Sequence, residues 1–244
     1  MFDPFKDFEQ AGYLRNVDRL KELEEVKLQE HAFFIANVEV ALSRLRRVRG
    51  PIVYRHFLQT HRLLFEGFYP WAGLDRHALG VGRLVGKGDR VHFELAELCQ
   101  AAVDHGLRMG NNPRTMRKQP GAVMGAFAWG HPFLDGNGRT MLLIHTELCR
   151  RAGFAIDWNA SDKGSYLDAL TRELADPRGA HLDAYLAPLM VDIDGRADFV
   201  GRLKRLPGLD GLDSVEANVD YAADDVSALQ SYADLKRGRG EALL

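Results

Sequence analysis

His131, Asp135 and Arg139 recur at intervals of four in the stretch HPFLDGNGRTMLL, and Gly136, Asn137 and Gly138 fill the last interval. These polar residues interrupt an otherwise apolar region, so packing does not account for them. Gly-Asn-Gly admits backbone conformations that branched residues resist, positive φ among them. Set just before a helix, such a turn lets several backbone N–H groups converge where the helix dipole also favours an anion. A nest of this kind cradles a diphosphate, and Arg139 adds a rigid guanidinium for phosphate oxygens. Asp135 brings negative charge to an anion site, a conflict that Mg²⁺ resolves by bridging the carboxylate and the phosphate oxygens. The His131 imidazole can accept a proton from an incoming hydroxyl near neutral pH. A base, a metal ligand, a nest and an arginine together point to phosphorus chemistry. Each has an ordinary reading when taken singly: a structural histidine beside a proline, a turn, a loop aspartate. Their co-occurrence between two apolar stretches favours the chemical reading.

The flanking sequence says what positions them. Residues 119–130 are small and apolar, with Pro120 suited to a first helical turn, and 140–152 carry Leu142, Leu143, Leu148 and Cys149. A buried helix–loop–helix is expected. A long helix is expected over 18–49, capped by Asp18 and carrying Leu20, Leu23, Val26, Ala32, Phe33, Ala36, Val40 and Leu45. Its arginine-rich end fits a helix C-terminus before Gly50-Pro51. Helices are also expected over 53–66, 94–106, 164–176 and 179–191. Between the first and second of these, glycines at 80, 82, 86 and 88 punctuate β-prone pieces. A turn at Gly86-Lys87-Gly88-Asp89 gives a small hairpin ending near Val91-His92-Phe93. From residue 195 the chain turns acidic and rich in glycine and alanine, which sets a boundary near 194. Leu206, Leu209, Leu212, Val215 and Val219 give that tail some packing capacity, and its last residues, from Lys236, are expected to fray.

A chain of 244 residues with 46% hydrophobic content builds one large domain, or one with an appendage. The net charge of −2 gives no general pull toward nucleic acid or a membrane surface. No apolar run reaches membrane-spanning length, and the start, MFDPFKDFEQ, is unlike a signal peptide. A cytoplasmic setting is expected, with delivery into another cell left open. Cys99 and Cys149 read as buried thiols, and His61 and His145 as packed histidines. His131 and His145 lack the carboxylate–histidine spacing of a zinc helix, so zinc is rejected. His92 is placed at the end of the hairpin, within reach of a substrate. Trp71 and Trp129 read as anchors, with Trp129 at the floor of the site.

HPFLDGNGRT resembles the signature of the Fic (Fido) family, His-x-Phe-x-Asp/Glu-Gly-Asn-Gly-Arg-x-x-Arg. It matches at His131, Phe133, Asp135, Gly136, Asn137, Gly138 and Arg139. The likeness extends to THRLLFEGFYPWAG at 60–73, to Arg76 and to GYLRN at 12–16, covering roughly residues 10 to 190. It implies an all-α fold: a Fic-like helical bundle with a small β-hairpin flap. The catalytic domain would be 1–194, with 195–244 an acidic C-terminal extension, partly helical or flexible. The implied activity moves AMP from ATP onto a Ser, Thr or Tyr hydroxyl of a target protein and releases pyrophosphate. By resemblance His131 deprotonates that hydroxyl, Asp135 holds Mg²⁺, Gly136, Asn137 and Gly138 form the anion hole, and Arg139 binds the nucleotide phosphates. The flap, near 84–93, aligns the target chain by strand-like pairing.

One signature position departs from the pattern. Leu142 stands where the second arginine is expected, and leucine offers no donor to a terminal phosphate. A flap cation, Lys87 or Arg90, is the candidate replacement. The inhibitory pattern Ser/Thr-x-x-x-Glu-Gly/Asn found in many members is missing, which leaves a separate antitoxin-like inhibitor open. UMP, phosphocholine or phosphate as cargo, and an inactive nucleotide-binding protein, are the competing readings. The expected partner is a target protein, with a homodimer also open, and neither nucleic acid nor membrane is expected.

Overall fold

The computed structural model describes residues 2–87, 91–193, 201, 218–222 and 224–240. A short turn of helix, α1 (Phe8–Ala11), precedes the long α2 (Leu23–Arg46) and α3 (Tyr54–Phe65). A second short turn, α4 (Arg76–Leu79), leads into the hairpin strands β1 (Leu84–Lys87) and β2 (Val91–His92). Then come α5 (Cys99–Gly110), α6 (Pro113–Lys118), α7 (Pro120–Gly130) and α8 (Asn137–Arg151). A two-stranded pair, β3 (Ala155–Ile156) and β4 (Met190–Val191), brackets α9 (Lys163–Ala175) and α10 (His181–Leu186). Strand β5 (Asn218–Tyr221) and helix α11 (Val226–Gly238) follow. The fold is an all-α bundle with a small antiparallel sheet.

Local chemistry sets the helix starts. Asn112 accepts from the backbone N–H of Arg114 and Thr115 ahead of Pro113, and Asp75, Asp162 and Asp225 cap α4, α9 and α11 in the same way. Helix α7 lies at the centre, with α5, α8, α9 and α10 packed on it. Its small residues permit this: a Cβ on Gly121 would lie 2.2 Å from the backbone nitrogen of Asp183. Among the described residues, no helix is long and apolar enough to cross a membrane.

Several expectations shift. Asp18 does not cap α2; the helix begins at Leu23 after Glu22, with no side-chain cap. Its buried stripe runs through Val26, Glu30, Phe34, Val38, Ala41, Leu42 and Leu45, whereas Val40 is exposed. Val26 and Leu45 lie in it as expected, whereas Ala32 and Ala36 are also exposed, because the buried face runs through a fully buried glutamate that apolar residues alone do not mark. Arg90, the Gly88-Asp89 half of the turn, the boundary near 194 and Leu206, Leu209, Leu212 and Val215 lie outside the described residues. Val219 lies in β5. Lys236 is not frayed: it lies in α11 and is buried, as is Arg239 just beyond.

The sheet has the order β2-β1-β5. Gly86 pairs with His92 on one side of β1 and with Val219 on the other, both antiparallel. The sequence predicts the hairpin but not its third strand.

Both packed histidines are as expected. His145 Nε2 lies 2.8 Å from the Pro120 carbonyl, joining α8 to α7. His61 Nδ1 accepts from the Gly73 N–H at 2.9 Å, which leaves Nε2 to donate to the Asp135 carbonyl at 3.1 Å. Burial lowers the pKa of His61 to about 3 and of His145 to about 4. Both lie below the unfolded value, so the unfolded chain binds protons that the folded chain refuses. Stability is therefore full above about pH 6.5 and declines as pH falls toward 4. At pH 5 the cost is about 2 kcal/mol for each histidine. Urea midpoints at pH 7 and pH 5 measure it, and coincident midpoints would refute the assignment.

Candidate active site

The loop between α7 and α8 is shaped from inside. Asn137 spends its side chain on Phe133, accepting from its N–H at 2.9 Å and donating to its carbonyl at 2.7 Å. The Phe133 ring stacks on His61 with centroids 3.8 Å apart and on Phe57 at 6.0 Å. Gly136 takes φ +74° at the cap position of α8, and no side chain caps this helix. At the turn itself the Asp135 carboxylate accepts from the Gly136 N–H through Oδ1 at 2.7 Å. Gly138 is exposed, and nothing lies within 4 Å of where its Cβ would be.

His131 ends α7 in the left-handed conformation, φ 39° and ψ 56°. That conformation is costly for a residue with a side chain and marks a constrained position. Its ring stacks face to face on Phe93, with centroids 3.7 Å apart and 8° between planes. Nε2 is shielded and has no hydrogen-bond partner. Burial, and then the Arg76 guanidinium, hold the imidazole well below its ordinary pKa. The ring is therefore neutral at pH 7.

Arg76 is fully buried and binds only carbonyls. Nε donates to His131 O at 2.8 Å, Nη1 to Gly82 O at 2.6 Å and Nη2 to Glu94 O at 2.7 Å. One guanidinium thus joins the two ends of the flap to the histidine.

Asp135 and Arg139 meet two residues that the sequence analysis did not single out. Lys27 Nζ pairs with Asp135 Oδ2, and Arg139 Nη1 lies 2.8 Å from Glu30 Oε2. Lys27 also reaches Glu30 at 3.4 Å, and the Tyr69 hydroxyl donates to Glu30 Oε1 at 3.2 Å. Burial raises the Asp135 pKa, but Lys27 and Arg139 outweigh it, and the carboxylate ends below its usual value. Lys27 and Glu30 fall one helical step apart on α2, on the face turned to the glycine loop. The detectable signal was the presence of charge inside a helix stripe that is otherwise apolar.

The structure joins Asp135 and Arg139 through this network. His131 stands beside it, within the electrostatic reach of Asp135 and Lys87. Leu142 is buried in the core. His92 is buried, with its ring stacked on Tyr221 at 5.1 Å. Trp129 donates to Glu94 Oε2 at 3.1 Å, and Trp71 donates to Leu14 O at 2.7 Å. Cys99 and Cys149 are free and buried.

The Fic/DOC family model matches residues 51–149, a stretch that contains the whole glycine loop. The protein adenylyltransferase VbhT of Bartonella schoenbuchensis is 29% identical over 168 residues, which cover 66% of this chain and 34% of that protein. The chain thus spans about a third of that relative's length. The probable protein adenylyltransferase y4lH of Sinorhizobium fredii is 28% identical over 189 residues, 74% of this chain and 88% of that one. Among solved structures, the Bartonella tribocorum effector BepC with bound AMPPNP superposes with a TM-score of 0.57. That match has 16% identity and covers 76% of this chain and 96% of BepC, a likeness of fold. The likeness to Fic/DOC proteins is thus one of fold together with a family match over residues 51–149, less than half of the chain, in which the glycine loop lies near the C-terminal end.

Proposed function

We propose that this chain is a protein adenylyltransferase, transferring AMP from ATP to a Ser, Thr or Tyr hydroxyl of a target protein. The observation that carries the reading is the shielded, unpartnered Nε2 of a neutral His131 beside a helix N-terminus that no side chain caps. Binding an anion does not require such a base. The names of the two relatives and the AMPPNP bound to BepC support the same reading.

In this mechanism His131 Nε2 takes the proton of the target hydroxyl as its oxygen attacks the α-phosphorus. The bond from the α-phosphorus to the bridging oxygen breaks, and pyrophosphate leaves. The backbone N–H groups of Asn137 and Gly138 hold the phosphate oxygens. Arg139 uses Nη1 on Glu30, which orients the guanidinium and leaves its other donors for phosphate. Asp135, whose carboxylate meets Lys27 and the Gly136 N–H in this structure, would hold Mg²⁺. Its side chain is 20% exposed and lies at the turn. The ion would supply charge neutralisation there. Lys87, a flap cation that acts electrostatically on His131, would stand in for the arginine replaced at Leu142. The catalytic unit would be residues 1–194, with 195–244 an extension. Cytoplasmic action, delivery into another cell, a separate inhibitor and a homodimer all accord with this reading.

The deciding experiment incubates the chain with Mg²⁺ and ATP, UTP or CDP-choline in a cell lysate and reads intact masses of the chain and captured proteins. A gain matching AMP establishes the reading. A gain with another donor corrects the cargo, and nucleotide binding without any gain identifies a non-transferring nucleotide binder.

The two glycines of the turn should separate. Gly138→Ala fits the open space and stabilises α8 by about 0.5–1 kcal/mol. It should also block close approach of phosphate, weakening ATP binding about tenfold or more, as for loss of a hydrogen bond to a charged group. Gly136→Ala is different in kind: its Cβ would lie 2.6 Å from Phe65 Cε2 at a positive φ, so it should destabilise the fold itself. Thermal unfolding and ATP titration of both variants read the contrast. Unchanged ATP affinity in Gly138→Ala would argue against phosphate at that glycine.

A further inference from the structure

We propose that β5 is an in-chain occupant of the flap edge on which an acceptor chain docks, and that it holds this edge with no acceptor hydroxyl facing His131. The inference rests on the transferase reading and on the flap as the docking strand.

Strand β1 has two edges. One is taken by β2. Along the other, Leu84, Val85, Gly86 and Lys87 pair with Tyr221, Asp220, Val219 and Asn218. A chain added to the flap beside β1 would need the same backbone groups.

The faces of the sheet tell which β5 residue looks toward the site. Phe93 N donates to Val85 O at 2.9 Å, and the Phe93 ring stacks on His131. Side chains alternate along a strand, so Lys87 shares the face of Val85, and Lys87 acts electrostatically on His131. Asp220, opposite Val85, belongs to the same face. Burial raises its pKa, and the largest opposing influence is Arg76, the residue bonded to the His131 carbonyl. The side chain in the acceptor's place is therefore a carboxylate, which cannot be the hydroxyl nucleophile of the transfer. The one hydroxyl of β5, on Tyr221, lies on the opposite face. Its ring stacks on His92, and its Cε2 would lie 3.0 Å from a Cβ on Gly86.

The occupant is held at its far end. In α11, Tyr232 donates to Glu94 Oε1, and Lys236 Nζ lies 3.1 Å from Glu94 Oε2. The Arg239 guanidinium sits 4.0 Å above the Trp129 ring. These contacts are to the flap's end and to α7, not to β1. A four-residue edge strand is weak by itself. It can leave β1 while α11 keeps it tethered at high local concentration.

The test uses the full chain and a fluorescein-labelled peptide of sequence 216–223. Val219→Pro removes an N–H and fixes φ in β5 opposite Gly86, which disfavours pairing. The Val219→Pro chain should bind the peptide about tenfold or more tightly than the unsubstituted chain, whose edge is occupied in cis. Equal affinities, or no binding to either, overturn the proposal. If Val219→Pro fails to fold, amide exchange on the unsubstituted chain decides. Saturating peptide should speed exchange at 218–221 while 84–87 stay protected, and no change at 218–221 overturns it. Neither readout needs turnover. A chain that transfers nothing therefore counts against the adenylyltransferase reading, and peptide binding is judged separately.

Discussion

Glu30→Gln should lower the stability of the chain by about 3–5 kcal/mol, the cost of breaking a buried ion pair from one side. Glu30 is fully buried and receives Arg139 at 2.8 Å, Lys27 at 3.4 Å and the Tyr69 hydroxyl at 3.2 Å. Together with Asp135 it makes two acids facing two bases. Removing one acid leaves Lys27 and Arg139 close together with only Asp135 between them. The amide keeps the shape and one acceptor oxygen, so the loss is mainly electrostatic. Urea unfolding reads it as a lower midpoint with an unchanged slope. The double variant Glu30→Gln/Arg139→Gln should lose less than the sum of the two single losses, because the orphaned charge is gone. A single-variant loss below about 1 kcal/mol is the size expected of an exposed pair and would sink the argument.

His131→Ala should lower the transfer rate by about 10²–10⁴-fold, the usual contribution of a positioned base. ATP affinity should be unchanged, since no step assigns His131 to the nucleotide. The pH profile makes the test more specific. Burial and Arg76 hold the imidazole well below its ordinary pKa, so it stays an acceptor as the medium becomes acidic. The rate should stay level as pH falls through 6.5, with the acid limb lying lower. An acid limb centred at or above 6.5 would mean a solvated histidine, or another base. The measurement is initial rate against pH at saturating ATP, beside circular dichroism to exclude unfolding.

What the sequence revealed of this site depended on chain distance. The turn from His131 to Arg139 was legible because its polar residues are contiguous and their geometry is local. Lys27 and Glu30 were not, since Lys27 meets Asp135 across 108 residues and no local pattern marks such a pairing. The apolar stripe of α2 hid Glu30 further, because a periodicity search skips charged positions. Most helices were legible from spacing, proline and glycine, including α7 from its small residues and Pro120. Helix α6 and the pair β3–β4 were not, being too short to show a period. Strand β5 was invisible for another reason: its partner lies on the far side of the bundle in sequence, and only the fold brings them into register.

The buried guanidinium of Arg76 touches main-chain oxygens alone at both ends of the flap and at His131. A latch that reads only backbone is indifferent to the side chains it crosses. Side chains between those carbonyls can therefore be rewritten by mutation while the histidine stays where it is. The division between what is held beside the histidine and what is left to drift falls at a single residue.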